Sequence, residues 1–191
     1  MKKLVLFFSL LLFISCQLSA QCDIAFDQID EFDSTRTLSA KPISVGYMIP
    51  SKFETMKGPK LIEEAQILFS YAENDSINSF FMTIAIPEYN YETIETGPNV
   101  ILRLSDSTVV TLYNVPDSGT FDSNTNMRLY QHTCVVSLDV FNRLTLSTIE
   151  KIRIDYKKQK RTLTISKEQQ EALRSALRCV GKSAGLYPIK P

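Results

Sequence analysis

Apolar side chains recur at every second position along much of the chain, which is the period of a half-buried β-strand. An acidic segment from Asp23 to Asp33 leads into this pattern, and a later segment from Ser79 to Ile86 is apolar on both faces, as in a central strand. The predicted strands cover residues 43–47, 65–71, 79–86, 100–104, 109–113, 130–136, 152–156 and 163–165.

Turn-forming residues separate several of these strands. Residues 73–76, 106–107 and 157–160 predict tight turns and therefore three hairpins. Residues 51–60 and 114–126 are polar or contain Gly and Pro, and they predict longer loops. Strands joined by short turns indicate an antiparallel sheet, because parallel pairs need long crossovers.

Two segments have helical periodicity. Ser137 is placed to cap a short helix, and Ser166 with Gln169 three residues later has the spacing of a capping box. The second helix is expected to end at Gly181. Its apolar face, which must be buried on the sheet, contains Ala172, Leu173, Ala176, Leu177 and Val180. The fold class predicted is α+β: about eight strands, mainly antiparallel, in a curled sheet or sandwich packed by a C-terminal helix.

The first twenty residues are typical of a secretory signal peptide. Lys2 and Lys3 precede an uncharged apolar run from Leu4 to Ile14, which is too short to span a bilayer. This leaves residues 21–191 as a single α+β domain, exported to the periplasm or secreted. No later segment is long and apolar enough to span a membrane.

Two cleavage sites compete within that segment. Cleavage after Ala20 suits ordinary signal peptidase. Residues 13–16 resemble a lipobox, although Phe13 stands where leucine is usual, and Cys16 would then carry a lipid anchor on an outer-membrane lipoprotein.

Charge is unevenly distributed along the exported chain. Without Lys2 and Lys3, 19 bases face 21 acids, a balance that argues against nucleic-acid binding. Residues 21–142 hold 7 bases and 17 acids, whereas residues 143–191 hold 12 bases and 4 acids. Either the two parts attract each other within the fold, or the basic part forms a face for an anionic ligand.

Cysteine positions suggest one disulfide bond. Export places the chain in an oxidising compartment, where Cys22 at the start of the domain and Cys179 in the last helix are predicted to pair. Cys134 lies within a strand pattern and is expected to be a buried free thiol.

No catalytic signature is present: the sequence lacks a phosphate-binding loop, a nucleophile elbow and the metalloprotease motif. His132 is the only histidine, and with Cys134 it supplies too few ligands for a zinc site. We therefore predict no catalytic residue, no metal and no cofactor. Glu63-Glu64 and Glu92 with Glu95 are available as carboxylate pairs, but nothing in the sequence selects one.

Two segments are candidates for ligand contact. Tyr89 and Tyr91 could stack on a sugar or anchor a protein. Lys157, Lys158, Lys160 and Arg161 form a basic run that is either a solvated hairpin turn or a contact for an anionic ligand.

Three short triplets suggest modification. Asp33-Ser34-Thr35, Asp75-Ser76-Ile77 and Asp106-Ser107-Thr108 resemble the acceptor consensus for O-glycosylation of exported proteins in some Gram-negative bacteria. Ser34, Ser76 and Ser107 would be the acceptors.

The ends of the chain resemble a loose set of small exported Gram-negative proteins. The shared features are Cys22-Asp23, Asp30-Glu31-Phe32, the strand Ile149–Ile154 and the cysteine in Ala176–Cys179. This resemblance implies export, supports the Cys22–Cys179 pair and implies no activity.

The function that these features favour is an exported, non-enzymatic module that binds a protein or glycan. A carboxylate-dependent hydrolase is the alternative, and so is a secreted inhibitor that presents the loop from Pro87 to Pro98.

Overall fold

The structure, a computed structural model, describes residues 23–76 and 78–186. These residues form one antiparallel sheet and two helices, one of them at the C-terminal end, so the predicted α+β class is confirmed. The predicted signal peptide, Cys16 and Cys22 lie outside the described residues. Among the described residues, no helix has both the length and the apolar character needed to cross a membrane.

The described part of the chain contains eleven strands rather than the eight expected. In chain order the strands are β1 (Ile24–Ile29), β2 (Arg36–Ala40), β3 (Ile43–Thr55), β4 (Gly58–Glu73), β5 (Asn78–Glu88), β6 (Gly97–Leu104), β7 (Val109–Pro116), β8 (Thr120–Asp122), β9 (Met127–Val136), β10 (Ile149–Asp155) and β11 (Lys160–Thr164). The helices are α1 (Leu138–Leu146) and α2 (Lys167–Ser183).

The strand order is β1-β2-β4-β5-β9-β7-β6-β10-β11. β3 follows β2 along the same side of β4, and β8 follows β7 along the same side of β9. The sheet is not closed, but β11 at its end contacts β3, and Arg161 of β11 forms an ion pair with Glu64 of β4. The sheet therefore curls until its last strand faces the β3–β4 hairpin.

The concave face of the sheet forms the core together with the two helices. α2 packs across β2, β3, β4 and β10, and it buries Leu173, Leu177 and Val180. α1 packs Phe141 on Phe80 of β5, with ring centroids 4.1 Å apart. The predicted Ser137 cap and the Ser166–Gln169 capping box are both present.

Two predicted loops are wrong, because their backbone is paired although their side chains bury little. Residues 51–60 were expected to be a loop, but they form the end of a long β3–β4 hairpin whose side chains are mostly exposed, so they carry no alternating pattern. Residues 114–126 likewise contain the end of β7 and all of β8. Gly181 does not end the last helix, which continues to Ser183 and is followed by Gly185 at φ 75°.

The prediction for Cys134 is confirmed. Cys134 is a buried free thiol, and burial raises its pKa to about 12. Cys179 is disulfide-bonded. Its predicted partner, Cys22, lies outside the described residues, so that pairing remains a prediction.

Candidate functional site: a buried ionic cluster and an uncharged sheet face

Two buried glutamates form ion pairs with one arginine where β11 approaches β4 and β5, and a third glutamate lies near them. An Nη atom of Arg161 lies 3.3 Å from Glu64 Oε1, and its Nε lies 3.8 Å from Glu88 Oε1. The side chains of Glu64 and Glu88 are only 11% and 5% exposed, and Glu92 is buried beside them. We call Glu64, Glu88, Glu92 and Arg161 the glutamate cluster.

A bulge in β3 holds Glu64 in the cluster. The register between β3 and β4 shifts between Val45 and Met48, and the backbone N–H of Tyr47 donates to Glu64 Oε2 at 2.9 Å. Gly46 adopts φ +76°, and a methyl group at this position would overlap the Glu64 carboxylate. The sequence therefore needs glycine here for both conformation and space.

The surroundings of Glu88 change the pKa of its carboxyl group. Burial raises its pKa above the usual range, and the positive charge of Arg161 opposes that shift. Glu92 and Glu64 add to the increase, whereas a hydrogen bond from the Tyr156 hydroxyl lowers it. Desolvation is the dominant effect, as expected for a carboxylate withdrawn from water.

A chain of buried hydrogen bonds extends from the cluster into the core. Tyr156 Oη lies 3.0 Å from His132 Nε2, and Asn114 Nδ2 lies 3.3 Å from His132 Nδ1. Asn114 also donates to Asn99 Oδ1 at 2.8 Å. Because the Asn114 amide can only donate through its nitrogen, Nδ1 accepts and Nε2 carries the proton that is donated to Tyr156.

Burial keeps the His132 imidazole and the Tyr156 phenol neutral. It lowers the pKa of His132 to about 4, although the charge of Asp117 acts in the opposite direction. It also raises the pKa of Tyr156 far above its ordinary value. The histidine is thus a polar core residue.

Replacing Tyr156 with phenylalanine should lower the free energy of unfolding by about 2 kcal/mol, because the His132 N–H and Glu88 would each lose a buried partner. Urea unfolding followed by circular dichroism measures this difference. Tyr113→Phe is the matched control, because Tyr113 is 53% exposed. Equal losses of unfolding free energy in both variants would contradict the proposed chain of hydrogen bonds.

The cluster offers little access to a substrate. The Glu64 and Glu88 carboxylates face Arg161, and Glu64 is also bound by the backbone of β3. Among the described residues, no group of three His, Cys, Asp or Glu side chains could hold a metal ion. Of the carboxylates predicted from the sequence, Glu64 and Glu92 belong to the cluster, whereas Glu63 and Glu95 are exposed. Glu88 was not predicted; its one signal in the sequence is its position after Pro87, which follows an apolar strand.

The outward face of the central strands lacks charge entirely. Residues directly paired in an antiparallel sheet share a face. In β4, β5, β9 and β7 the outward rows are Ser70–Phe81–Val135–Tyr113, Leu68–Thr83–Thr133–Val115 and Gln66–Ala85–Gln131. We call these eleven positions the uncharged face; Val135, Tyr113 and Val115 on it are 41%, 53% and 50% exposed.

The same sheet has a charged outward face on its later strands. Arg103 of β6 pairs with Lys151 of β10, Ile101 pairs with Arg153, and all three basic residues are exposed. Outward positions in this sheet are therefore not generally free of charge, because β6 and β10 carry three basic residues there. The Arg161–Glu64 and Lys157–Glu95 ion pairs also join the basic and acidic parts of the chain.

The predicted basic run does not form one surface. Arg161 is turned into the glutamate cluster, Lys157 pairs with Glu95, and Lys160 lies 3.9 Å from Asp155. Lys158 is exposed. Contact with an anionic ligand remains a prediction for these residues.

Tyr89 and Tyr91 follow β5 in a segment that is anchored to its surroundings. The Tyr89 hydroxyl donates to the Pro50 carbonyl at 2.6 Å, and Lys52 Nζ donates to the Tyr89 carbonyl. Tyr91 is 66% exposed, with the Arg128 guanidinium 5.4 Å from its ring. The Lys157 N–H donates to the Thr93 carbonyl at 2.9 Å, so this segment is tied to the domain at both ends.

Ser34, Ser76 and Ser107 all occupy turns between strands. Ser34 and Ser107 share one geometry: φ is 59° and 67°, and the preceding aspartate accepts a hydrogen bond from the N–H two residues later. Ser76 is exposed after Asn74, whose Oδ1 accepts its N–H. Modification of these serines remains a prediction.

Comparison of the chain with protein-family models, with curated proteins and with solved structures finds no match.

Proposed function

We propose that this protein is an exported, non-enzymatic module that binds a partner protein on the uncharged face. The observation that carries the proposal is the absence of any charged residue from eleven adjacent outward positions on four strands. Interface cores are depleted of charge and enriched in aromatic residues relative to other surface, and Phe81 and Tyr113 fit that composition.

The composition of the face favours a protein over a glycan. Sugar recognition needs several polar groups to bind hydroxyls. The two amides here, Gln66 and Gln131, lie in one row, and the Thr83 and Thr133 hydroxyls are hydrogen-bonded to each other. Phe81, Val135, Val115 and Leu68 instead offer apolar surface, which gains free energy when another apolar surface excludes water.

The size of the face favours a weak or transient complex. Strand spacing of about 4.8 Å and a residue rise of about 3.4 Å place its outermost Cα atoms about 14 Å apart in each direction. A standard interface buries about 800 Å² on each partner, more than a patch of this size provides. Leu129, exposed in the next outward row of β9, extends it, and so does exposed Phe26 of β1 across Ser39 of β2.

Site-specific photo-cross-linking in the source organism tests the proposal. We expect p-benzoyl-phenylalanine at Val115 to cross-link one partner protein, and the same group at Thr162 of β11 to give no such product. Thr162 is the control because it is also exposed on the outward face, but opposite Arg153.

A charge variant then tests the chemistry of the contact. Val135→Glu should reduce the Val115 cross-link at least about tenfold, since a carboxylate would be desolvated in the contact, whereas Thr162→Glu should leave it unchanged. Equal yields from Val115 and Thr162, or an adduct of two copies of this chain, would overturn the proposal of a separate partner protein.

A carboxylate-dependent hydrolase is the second candidate, and the raised pKa of Glu88 is what favours it. Its side chain is 5% exposed and faces Arg161, so a substrate could reach it only after the cluster opened. For this reason we rank binding first.

A further inference from the structure

A cleft of about 240 Å³ lies beside the uncharged face, between the β3–β4 hairpin and strands β5, β8 and β9. The pairing between β4 and β5 ends at Gln66 and Ala85, whereas β4 stays paired with β3 as far as Gly58. The part of β4 that precedes Gln66 is therefore separated from β5, and this separation opens the cleft.

The turn between β8 and β9 closes the far side of the cleft. Asn126 Nδ2 donates to the Lys52 carbonyl at 3.3 Å, and Lys60 Nζ lies 3.5 Å from the Asn124 carbonyl oxygen. These contacts join the hairpin to the turn, so the cleft has two fixed walls.

The floor of the cleft is apolar. Ala65, Ala85, Pro87, Met127 and Leu129 line it. A cavity of about 150 Å³ is enough to hold a six-carbon ring, so the cleft has room for an aliphatic side chain.

Two carboxylates line the walls on opposite sides of this floor. Glu63 comes from β4, and Asp122 comes from the end of β8. The Asn124 N–H and the Thr125 hydroxyl donate to Asp122 and hold its pKa below the usual range. The positive charge of Lys60 also lowers the pKa of Asp122. Counting that one cation, the two carboxylates still leave the cleft with a net negative charge.

We propose that the cleft receives a basic side chain, a lysine above all, from the partner protein that binds the uncharged face. The aliphatic stem would lie on the apolar floor, and the ammonium group would sit between Glu63 and Asp122. The inference rests on the proposed function, because Gln66 and Ala85 belong to the uncharged face and line the cleft as well.

The cleft can be tested without the partner by titrating the full domain with Nα-acetyl-lysine N-methylamide, followed by ¹⁵N–¹H NMR. We expect saturable shifts centred on the amides of Ala65, Ala85 and Met127, with a dissociation constant on the order of 1 mM for a ligand this small. The norleucine analogue has a similar apolar stem and no ammonium group, and it should bind at least about tenfold more weakly if the charge is recognised.

A double variant tests the two carboxylates. Glu63→Gln with Asp122→Asn should weaken binding of the lysine probe about tenfold. The fold should be retained, because the new amide oxygens still accept from Ser44 Oγ and the Asn124 N–H. Asp117→Asn is the matched control: Asp117 accepts the Gly119 N–H in a similar exposed turn but does not line the cleft.

The outcomes separate this inference from the proposed function. Equal binding of the lysine and norleucine probes, or an unchanged affinity in the double variant, would overturn the basic-side-chain cleft even if Val115 cross-links a partner. Specific binding of the lysine probe without any cross-link at Val115 would support the cleft and overturn docking on the uncharged face.

Discussion

Arg161→Ala is expected to lower the free energy of unfolding by about 4 kcal/mol at pH 7, because removing one member of a buried ion pair leaves the other charges uncompensated. Glu64 and Glu88, 11% and 5% exposed, would lose the cation that faces them both. Arg161 also joins β11 to the β3–β4 hairpin, so the loss would act on the contact between the last strand and the long hairpin. Urea unfolding followed by circular dichroism measures the change.

Arg103→Ala is the matched control for this prediction. Arg103 is 54% exposed and lies 3.8 Å from Glu150, and an exposed pair of this kind contributes less than about 1 kcal/mol. Similar losses in both variants would show that the glutamate cluster is not the source of the Arg161 effect.

The pH dependence provides a second check on the Arg161 variant. The pKa of Glu88 is higher in the folded protein than in the unfolded chain. The free energy of unfolding therefore falls as the pH rises from the unfolded pKa of this group to its folded pKa. Without Arg161 the pKa would rise further, and a protonated Glu88 needs no cation. The difference in the free energy of unfolding between wild type and Arg161→Ala should therefore be smaller at pH 5 than at pH 7.

The sequence predicted most of the strands whose inward positions are buried, because burial on one face forces a period of two. It missed β2, although Leu38 and Ala40 are buried there. Ala65, Ile67, Phe69 and Tyr71 of β4 are all buried, and their alternation was visible in the sequence. The end of the β3–β4 hairpin was missed, since its strands bury almost nothing and are held by backbone pairing alone. The short strand β8 was missed for the same reason.

The candidate sites were harder to predict because each combines distant parts of the chain. Arg161 looked like part of a basic turn, and only the curl of the sheet brings it to Glu64 and Glu88. The uncharged face required the register of four strands, which the sequence does not specify. Charge-free outward positions within single strands, such as Thr133 and Val135, were the one signal available.

His132→Gln is expected to remove an acid-sensitive contribution of about 3 kcal/mol to the free energy of unfolding. The folded pKa of His132 is about 4, against 6.5 for a free histidine, and each unit corresponds to about 1.4 kcal/mol. Because the folded pKa is depressed, the unfolded chain binds the proton first, and stability falls as the pH drops from about 6.5 to about 4. His132 is the chain's only histidine, so no other imidazole contributes to this slope.

The comparison between the two proteins isolates that slope from other titrations. His132→Gln should be less stable than wild type at pH 7.5, because it disturbs the bonds to Tyr156 and Asn114. As the pH falls to 4, the wild type should lose about 3 kcal/mol more than the variant. Glu88→Gln should keep the loss of stability with falling pH that His132 causes. It should lack the gain of stability with falling pH that Glu88 causes. Parallel stability curves for wild type and His132→Gln between pH 7.5 and 4 would show that the histidine is not held neutral by its burial.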